Sequence, residues 1–213
     1  MADGLVSVVV GFPWRPTPDR LAAFELVCNW YESALPDAVQ VLADSGHEQF
    51  SRAASRNLAV RMARDYSPDV VVISDADTIP TPAGLTAAIA AAVHGGMHYP
   101  FDRYLYAGSD CAPGGNTGGI YVCRPDVWWA AGGMDERFHG WGGEDDAAHA
   151  AFEALVGKPT CHPGFAVSFP HDGACRDLGS ERWRPNSELQ LRYNAARRDP
   201  EAMRRIIAER PAV

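Results

Sequence analysis

Apolar positions along the chain switch between a period near two and a period near 3.6, and each switch marks an element. Residues 5–12 (LVSVVVGF) read as a first strand. Residues 17–35 read as a helix with Thr17 at its N-cap, Pro18 in its first turn, and Leu21, Phe24, Cys28, Tyr31 and Leu35 on one face. Residues 38–44 (AVQVLAD) predict a second strand, 51–66 a helix with Leu58, Met62 and Tyr66 turned inward, and 69–75 (DVVVISD) a third strand. A second Thr-Pro start opens a helix at residue 81 that stops at Gly95. Beyond it the pattern is less regular: a loop over 102–116, a strand at 118–124 (GGIYVCR), a short helix at 125–133, a longer one at 144–157, and a last strand at 165–170 (FAVSFP). Strands alternating with helices predict an α/β protein built on a sheet. The core pattern gives way to a polar helical tail near residue 176, which sets the expected division into 1–175 and 176–213.

Composition narrows this picture. Of 213 residues, 46% are hydrophobic and 22% charged, enough for one sizeable core. No stretch reaches the roughly 18 apolar residues of a membrane span, and the opening MADGLVSVVV has neither a basic lead-in nor a cleavage site. The expectation is a cytoplasmic protein with no membrane span. Five cysteines (Cys28, Cys111, Cys123, Cys161, Cys175) without C-x-x-C spacing argue against a disulfide framework and a zinc knuckle. A net charge of −8 argues against a general nucleic-acid binder. Residues 176–213 depart from that balance with nine arginines against six acids, which fits a solvated helix or a local groove. Abundant alanine and arginine with one lysine, Lys158, suggest a GC-rich bacterial or phage genome.

In open α/β sheets ligands gather beyond the carboxyl ends of the strands. The first three predicted strands end on GFPWR, ADSG and SDADTIP. In the last of these Asp75 and Asp77 sit two residues apart, where strand alternation puts both carboxylates on one side. A hard divalent cation such as Mn²⁺ or Mg²⁺, shared with phosphate oxygens, would relieve their repulsion. Turn chemistry is the alternative, because Asp is common in caps and turns. A second signal lies in GGMDERFHGWGGEDDAAHA, residues 132–150, where Trp141 stands between glycines and is followed by Glu144, Asp145 and Asp146 at a helix start. Acids in a first helical turn complement the macrodipole, and glycines make turns, but neither accounts for Trp141. A flat aromatic face beside carboxylates suits a sugar acceptor, and one carboxylate could take the proton of an attacking hydroxyl.

HGWGGEDD and, more weakly, DAD resemble motifs of the lactose-synthase-type β-1,4-galactosyltransferases, and more distantly the polypeptide N-acetylgalactosaminyltransferases. The resemblance runs from the first strand to about residue 172 and implies a GT-A fold, a Rossmann-like α/β architecture with a mixed central sheet flanked by helices. Carried over by position, it makes Asp77 the metal-ligating aspartate and Asp75 its partner near the ribose. Phe12 and Arg15 fall where the family's first loop contacts the nucleotide, although Pro13 replaces an arginine there. Asp44 falls where the uracil base is read, and Phe50 and Arg52 in the next nucleotide-contacting segment. Arg52 suits a diphosphate because its fork binds two oxygens. Without the resemblance Arg52 and Arg56 read as a solvated helix face; with it, Arg52 stands ahead of Arg56. Gly118 and Gly119 match paired glycines that admit the donor sugar. Trp141 matches a mobile-loop tryptophan, Glu144 and Asp145 the acceptor-binding acids, and Asp145 the catalytic base. His171 matches the histidine completing the metal site, and Ser168 stands where the family has a methionine ligand.

The implied activity is metal-dependent transfer of a hexose from a UDP-sugar to an acceptor hydroxyl with inversion, using Mn²⁺ or Mg²⁺. The resemblance leaves open a retaining transferase on the same fold and a non-catalytic nucleotide- or carbohydrate-binding module. Haloacid-dehalogenase-type phosphatases also place two aspartates after an apolar strand, but they need a threonine two residues after the second, and here Thr78 follows Asp77 directly. The acceptor is open among saccharide, protein, small molecule and modified nucleic acid.

Overall fold

The computed structural model describes residues 6–18, 20–107, 118–140, 142–169 and 184–211. In chain order the first half contains β1 (Val8–Pro13), α1 (Leu21–Ala34), β2 (Val39–Ala43), α2 (Arg52–Ala63), β3 (Val70–Ser74), β4 (Thr78–Pro80), α3 (Pro82–Ala92) and β5 (His98–Tyr99). The second half contains β6 (Arg103–Tyr106), β7 (Ile120–Cys123), α4 (Pro125–Ala130), α5 (Glu144–Leu155), β8 (Thr160–Cys161), β9 (Phe165–Ser168), α6 (Arg184–Ala196) and α7 (Pro200–Ala208). The main sheet runs β2-β1-β3-β7-β5-β8, and a smaller one runs β4-β9-β6. β1 pairs in parallel with β2 and β3, whereas β7 is antiparallel to both β3 and β5, so the sheet is mixed as expected.

Every residue of β1 and β3 is buried, which is why both read as continuous apolar runs rather than as alternating ones. α2 covers β1 at close range: a Cβ on Gly11 would come within 2.8 Å of the Ala59 Cβ and 2.9 Å of the Ile73 Cδ1. This close packing decides which face of α2 turns inward. It is lined by Ala53, Ala54, Arg56, Asn57, Val60 and Ala63, with Leu58 and Met62 half-buried at the margin and Tyr66 half exposed in the 3-10 turn beyond. The periodicity picked the largest apolar residues, but the tight approach selects the smallest.

One helix start differs from expectation for a local reason. α1 begins at Leu21, and Thr17 closes the preceding turn through its carbonyl, which accepts the Arg20 amide at 3.0 Å. Ser51 does cap α2, its side chain accepting the Ala54 amide. Strands β4, β5 and β8 escape periodicity because each is only two or three residues long, and β6, inside the expected 102–116 loop, has no buried position to mark it.

The arginine-rich helices α6 and α7 do not stand off in solvent. Tyr193, Ala196, Met203 and Ile206 close a second apolar cluster with Phe138, Ala147, Ala150 and Ala151. Asp135 ties this cluster to the body: its carboxylate accepts from Arg137 Nη2 at 2.7 Å and Tyr193 Oη at 2.9 Å, with Arg210 Nε 3.6 Å away. No helix of the described residues is long and apolar enough to cross a membrane.

Candidate active site

The carboxyl edge of the main sheet carries a turn gripped from two sides. β3 stops at Ser74, and residues 75–77 turn into β4, with the Thr78 amide donating to the Asp75 carbonyl at 3.3 Å. The Asp75 amide donates to the Gly119 carbonyl at 2.7 Å, which fixes the turn to the start of β7. The Phe169 amide donates to the Asp77 carbonyl at 2.7 Å, which fixes it to the end of β9. Strand alternation therefore does not govern the two aspartates, since the strand has already ended. Asp75 points inward to Arg56, while the Asp77 Oδ1 accepts from the Thr78 hydroxyl at 2.9 Å.

Arg56 supplies positive charge at Asp75. Its side chain is 0% exposed, with Nη2 donating to Asp75 Oδ1 at 2.5 Å and Nη1 to Asp145 Oδ1 at 2.7 Å. The guanidinium lies over the Tyr121 ring, 5.3 Å from its centroid. One turn earlier on the same face, Arg52 pairs with Glu144. Glu144 and Asp145 open α5 behind Gly143, which takes a φ of +87°. One guanidinium thus joins the turn after β3 to the first turn of α5.

The charges set each other's protonation. Burial alone would pull the Arg56 guanidinium down, but Asp75 and then Asp145 hold it well above its ordinary value. Burial would push Asp145 up, yet Arg56, Arg52 and the Tyr121 hydroxyl keep it below the usual carboxylate range. For Asp75 and Glu144 burial prevails over their arginines, and both carboxyls are pushed up.

Gly118 and Gly119 have φ of +95° and +76°. A Cβ on Gly118 would lie 2.8 Å from the Asp145 Cγ, and one on Gly119 would lie 2.9 Å from the Tyr104 Cε2. The chain's own side chains already require the missing ones.

Arg15 and Asp44 meet at the neighbouring strand ends in a two-pronged pair, 2.7 Å at each prong. Arg15 also donates to the carbonyls of His47 and Glu48 and lies over Phe50, 5.5 Å from the ring centroid. The pair is solvent-facing, so its value is in shaping the 44–50 loop rather than in stability. Phe12 is a correction: its side chain is fully buried against Phe24 and Tyr31, at 5.5 and 5.6 Å between ring centroids. Its place in β1, paired with Leu42 of β2, turns the ring toward α1 and leaves no surface of Phe12 exposed.

The structure therefore brings Asp75, Arg52, Glu144, Asp145, Gly118 and Gly119 together, with Asp77 beside them. Arg15, Asp44 and Phe50 form a separate cluster. Trp141 and His171 lie outside the described residues. Among the described residues no group of three or more His, Cys, Asp or Glu gathers that could hold a metal ion. Sequence reasoning did not single out Tyr121, and it placed Arg56 behind Arg52, whereas the structure buries Arg56 between Asp75 and Asp145. The available signal was an arginine one helical turn after Arg52 among inward alanines.

Comparison with known proteins places these features in context. Residues 112–164, which include the paired glycines and the acidic turn of α5, match a family described as the N-terminal domain of galactosyltransferase. The chain is 26% identical to β-1,4-galactosyltransferase 1 of Mus musculus over 93% of its own length and 48% of that protein's. It spans about half the length of the curated relatives it matches. Those relatives are animal proteins and give no support to the bacterial or phage origin suggested by composition. Among solved structures, Drosophila β1,4-galactosyltransferase 7 in complex with manganese, UDP-Gal and xylobiose aligns with a TM-score of 0.57 at 16% identity, over 84% of this chain and 74% of that one. GalNAc-T7 with UDP, GalNAc and Mn²⁺ aligns with a TM-score of 0.58 at 10% identity, over 89% and 48%. The fold is GT-A, and the resemblance to β-1,4-galactosyltransferases read from HGWGGEDD extends along most of the chain.

Proposed function

We propose that this chain is a metal-dependent glycosyltransferase that moves a hexose from a UDP-sugar to an acceptor hydroxyl with inversion at the anomeric carbon. The observation that carries the reading is the Asp75–Arg56–Asp145 bridge, which sets a donor-side and an acceptor-side carboxylate on one buried cation. Relatives of the same fold are known with UDP-Gal or UDP and with manganese. Asp77 has the hard oxygen donor that Mn²⁺ or Mg²⁺ prefers, and the resemblance adds His171. A cation held there would offset the negative charge of the departing diphosphate.

The residues divide the work as follows. Arg15, Asp44 and Phe50 hold the nucleotide, and Gly118 and Gly119 leave backbone rather than side chain beside the donor sugar. Glu144 and Trp141 hold the acceptor. As the acceptor oxygen bonds to the anomeric carbon, the bond from that carbon to phosphate breaks, its electron pair leaves with UDP, and the acceptor proton passes to Asp145. General-base assistance of this kind is worth roughly 10²–10⁴-fold.

Two measurements test the reading. Calorimetry with UDP should show binding that depends on Mn²⁺; UDP affinity indifferent to Mn²⁺ would remove the metal. UDP release, followed across a set of UDP-sugars and simple glycoside acceptors, should fall at least about 10²-fold in Asp145→Asn while UDP binding persists. Full turnover in that variant would remove the base.

A further inference from the structure

Asp145 is held by one oxygen. Its Oδ1 accepts from Arg56 Nη1 at 2.7 Å and from the Tyr121 hydroxyl at 2.5 Å. Its Oδ2 has no donor among the described residues and faces Gly118, where an added Cβ would stand 2.8 Å from it. Tyr121 itself has nowhere to swing. It lies in β7 opposite Ile73, is fully buried, packs edge-on to Trp128 at 5.8 Å and tilted to Tyr99 at 5.6 Å, and has the Arg56 guanidinium over its face. Burial, and after it the charge of Asp145, pushes the phenol well above its ordinary value, so the hydroxyl stays a donor throughout the working pH range.

We infer that Tyr121 is a positioning residue for the transfer step: with Arg56 it pins Oδ1 of Asp145, so that Oδ2 alone is presented to the acceptor's proton. The inference rests on the reading of Asp145 as base. Two donors from different elements, α2 and β7, converge on one oxygen, which stops the carboxylate from rotating about its Cβ–Cγ bond. With one donor removed, Oδ2 samples other directions, and misplacing a reacting group by about 1 Å can cost on the order of 10²-fold. Because Arg56 remains, the loss from Tyr121→Phe should be nearer tenfold.

Other groups also act on Asp145: Arg52 and Arg56 from α2, Asp75 after β3, Tyr99 from β5, and Glu144 and Asp146 from its own helix. All of them remain in Tyr121→Phe, so a change in Asp145 reports the missing hydroxyl. A hydrogen bond to the ionised form lowers a carboxyl's titration point, and its removal raises it.

The test compares wild type, Tyr121→Phe and Asp145→Asn. The Asp145 carboxyl resonance of [¹³C]aspartate-labelled protein, identified by its absence in Asp145→Asn, is followed with pH. UDP release from UDP-galactose with Mn²⁺ and a set of aryl glycosides is measured alongside. In Tyr121→Phe the Asp145 midpoint should rise by about one pH unit and turnover should fall about tenfold, with UDP–Mn²⁺ affinity as in wild type. A purely structural tyrosine would lower the melting temperature and leave that midpoint in place, which overturns the inference. Full turnover in Asp145→Asn would instead remove the base, and with it what Tyr121 positions.

Discussion

Replacing Arg56 with methionine tests the central bridge most directly. Methionine fills much of the same volume and can still lie on Tyr121, so the change is chiefly one of charge. The arginine is 0% exposed, whereas the Asp75 and Asp145 side chains keep 16% and 29% of their exposure. Removing one partner of a buried ion pair costs about 3–5 kcal/mol, because the other charge is left uncompensated. Here two carboxylates lose their shared partner, but each is partly wetted and Arg52 still acts on both, so the low end, about 3 kcal/mol, is the expectation. A domain of this size has roughly 5–15 kcal/mol in all, and the variant should remain folded without denaturant. Urea unfolding followed by tryptophan fluorescence at pH 7 measures the loss. A cycle with Asp145→Asn then isolates the bridge. If Arg56 and Asp145 interact as described, neutralising Asp145 should cost less in the methionine background, with a coupling of about 1–3 kcal/mol. Losses that add to within about 0.5 kcal/mol would refute the bridge.

Two further outcomes follow from the same physics. Burial would raise Asp135, but hydrogen bonds from Arg137 and the charge of Arg210 bring it below its ordinary 3.8. A depressed carboxyl stabilises the fold above its unfolded value, and that stability is lost as pH falls through the folded one. Asp135→Asn should therefore cost about 3 kcal/mol in urea melts at pH 7, with the gap to wild type closing below about pH 4; a gap constant with pH would count against the ion cluster. Gly118→Ala places a methyl against Asp145 at a φ of +95°, so it should lower turnover far more than UDP–Mn²⁺ affinity. An equal loss in both would show that the donor, not Asp145, needs the space.

The large elements were legible because burial on both faces writes itself into the sequence. β1 and β3 are apolar throughout, and α3 and α4 announce themselves by proline at their starts. The short strands were not legible, since two residues such as His98–Tyr99 carry no period and pair only because β7 and β8 lie on either side. In α2 an inward arginine among alanines reads as an amphipathic helix with its polar side out, and only the carboxylates arriving from residues 75 and 145 reverse that. Phe12 failed in the opposite sense: a motif position implied a ligand contact, while the alternation of β1 gave its ring to the core. Tyr121 left no trace because a tyrosine in a strand is ordinary. Its partner is 24 residues away, and only the fold brings them together. The arginine-rich tail was open between a solvated helix and a groove, and the structure buries Tyr193 and Met203 while their neighbours stay exposed.

Both guanidiniums at the site are already engaged: Asp75 and Asp145 share Arg56, and Glu144 pairs with Arg52. Burial raises the carboxyls of Asp75 and Glu144, whereas Asp145 is held ionised. A diphosphate binding directly to Arg52 or Arg56 would have to compete with these carboxylates. In the proposed reaction a divalent cation held at Asp77 would offset the charge of the diphosphate. In the proposed reaction the arginines serve the carboxylates first. They hold the carboxylates in place before any ligand arrives, which in the proposed reaction would keep reorganisation small and would leave recognition of the phosphates to the cation. On this account Arg52→Ala should disturb Glu144 and the acceptor side first and UDP affinity second, the reverse of what a phosphate-binding arginine would give.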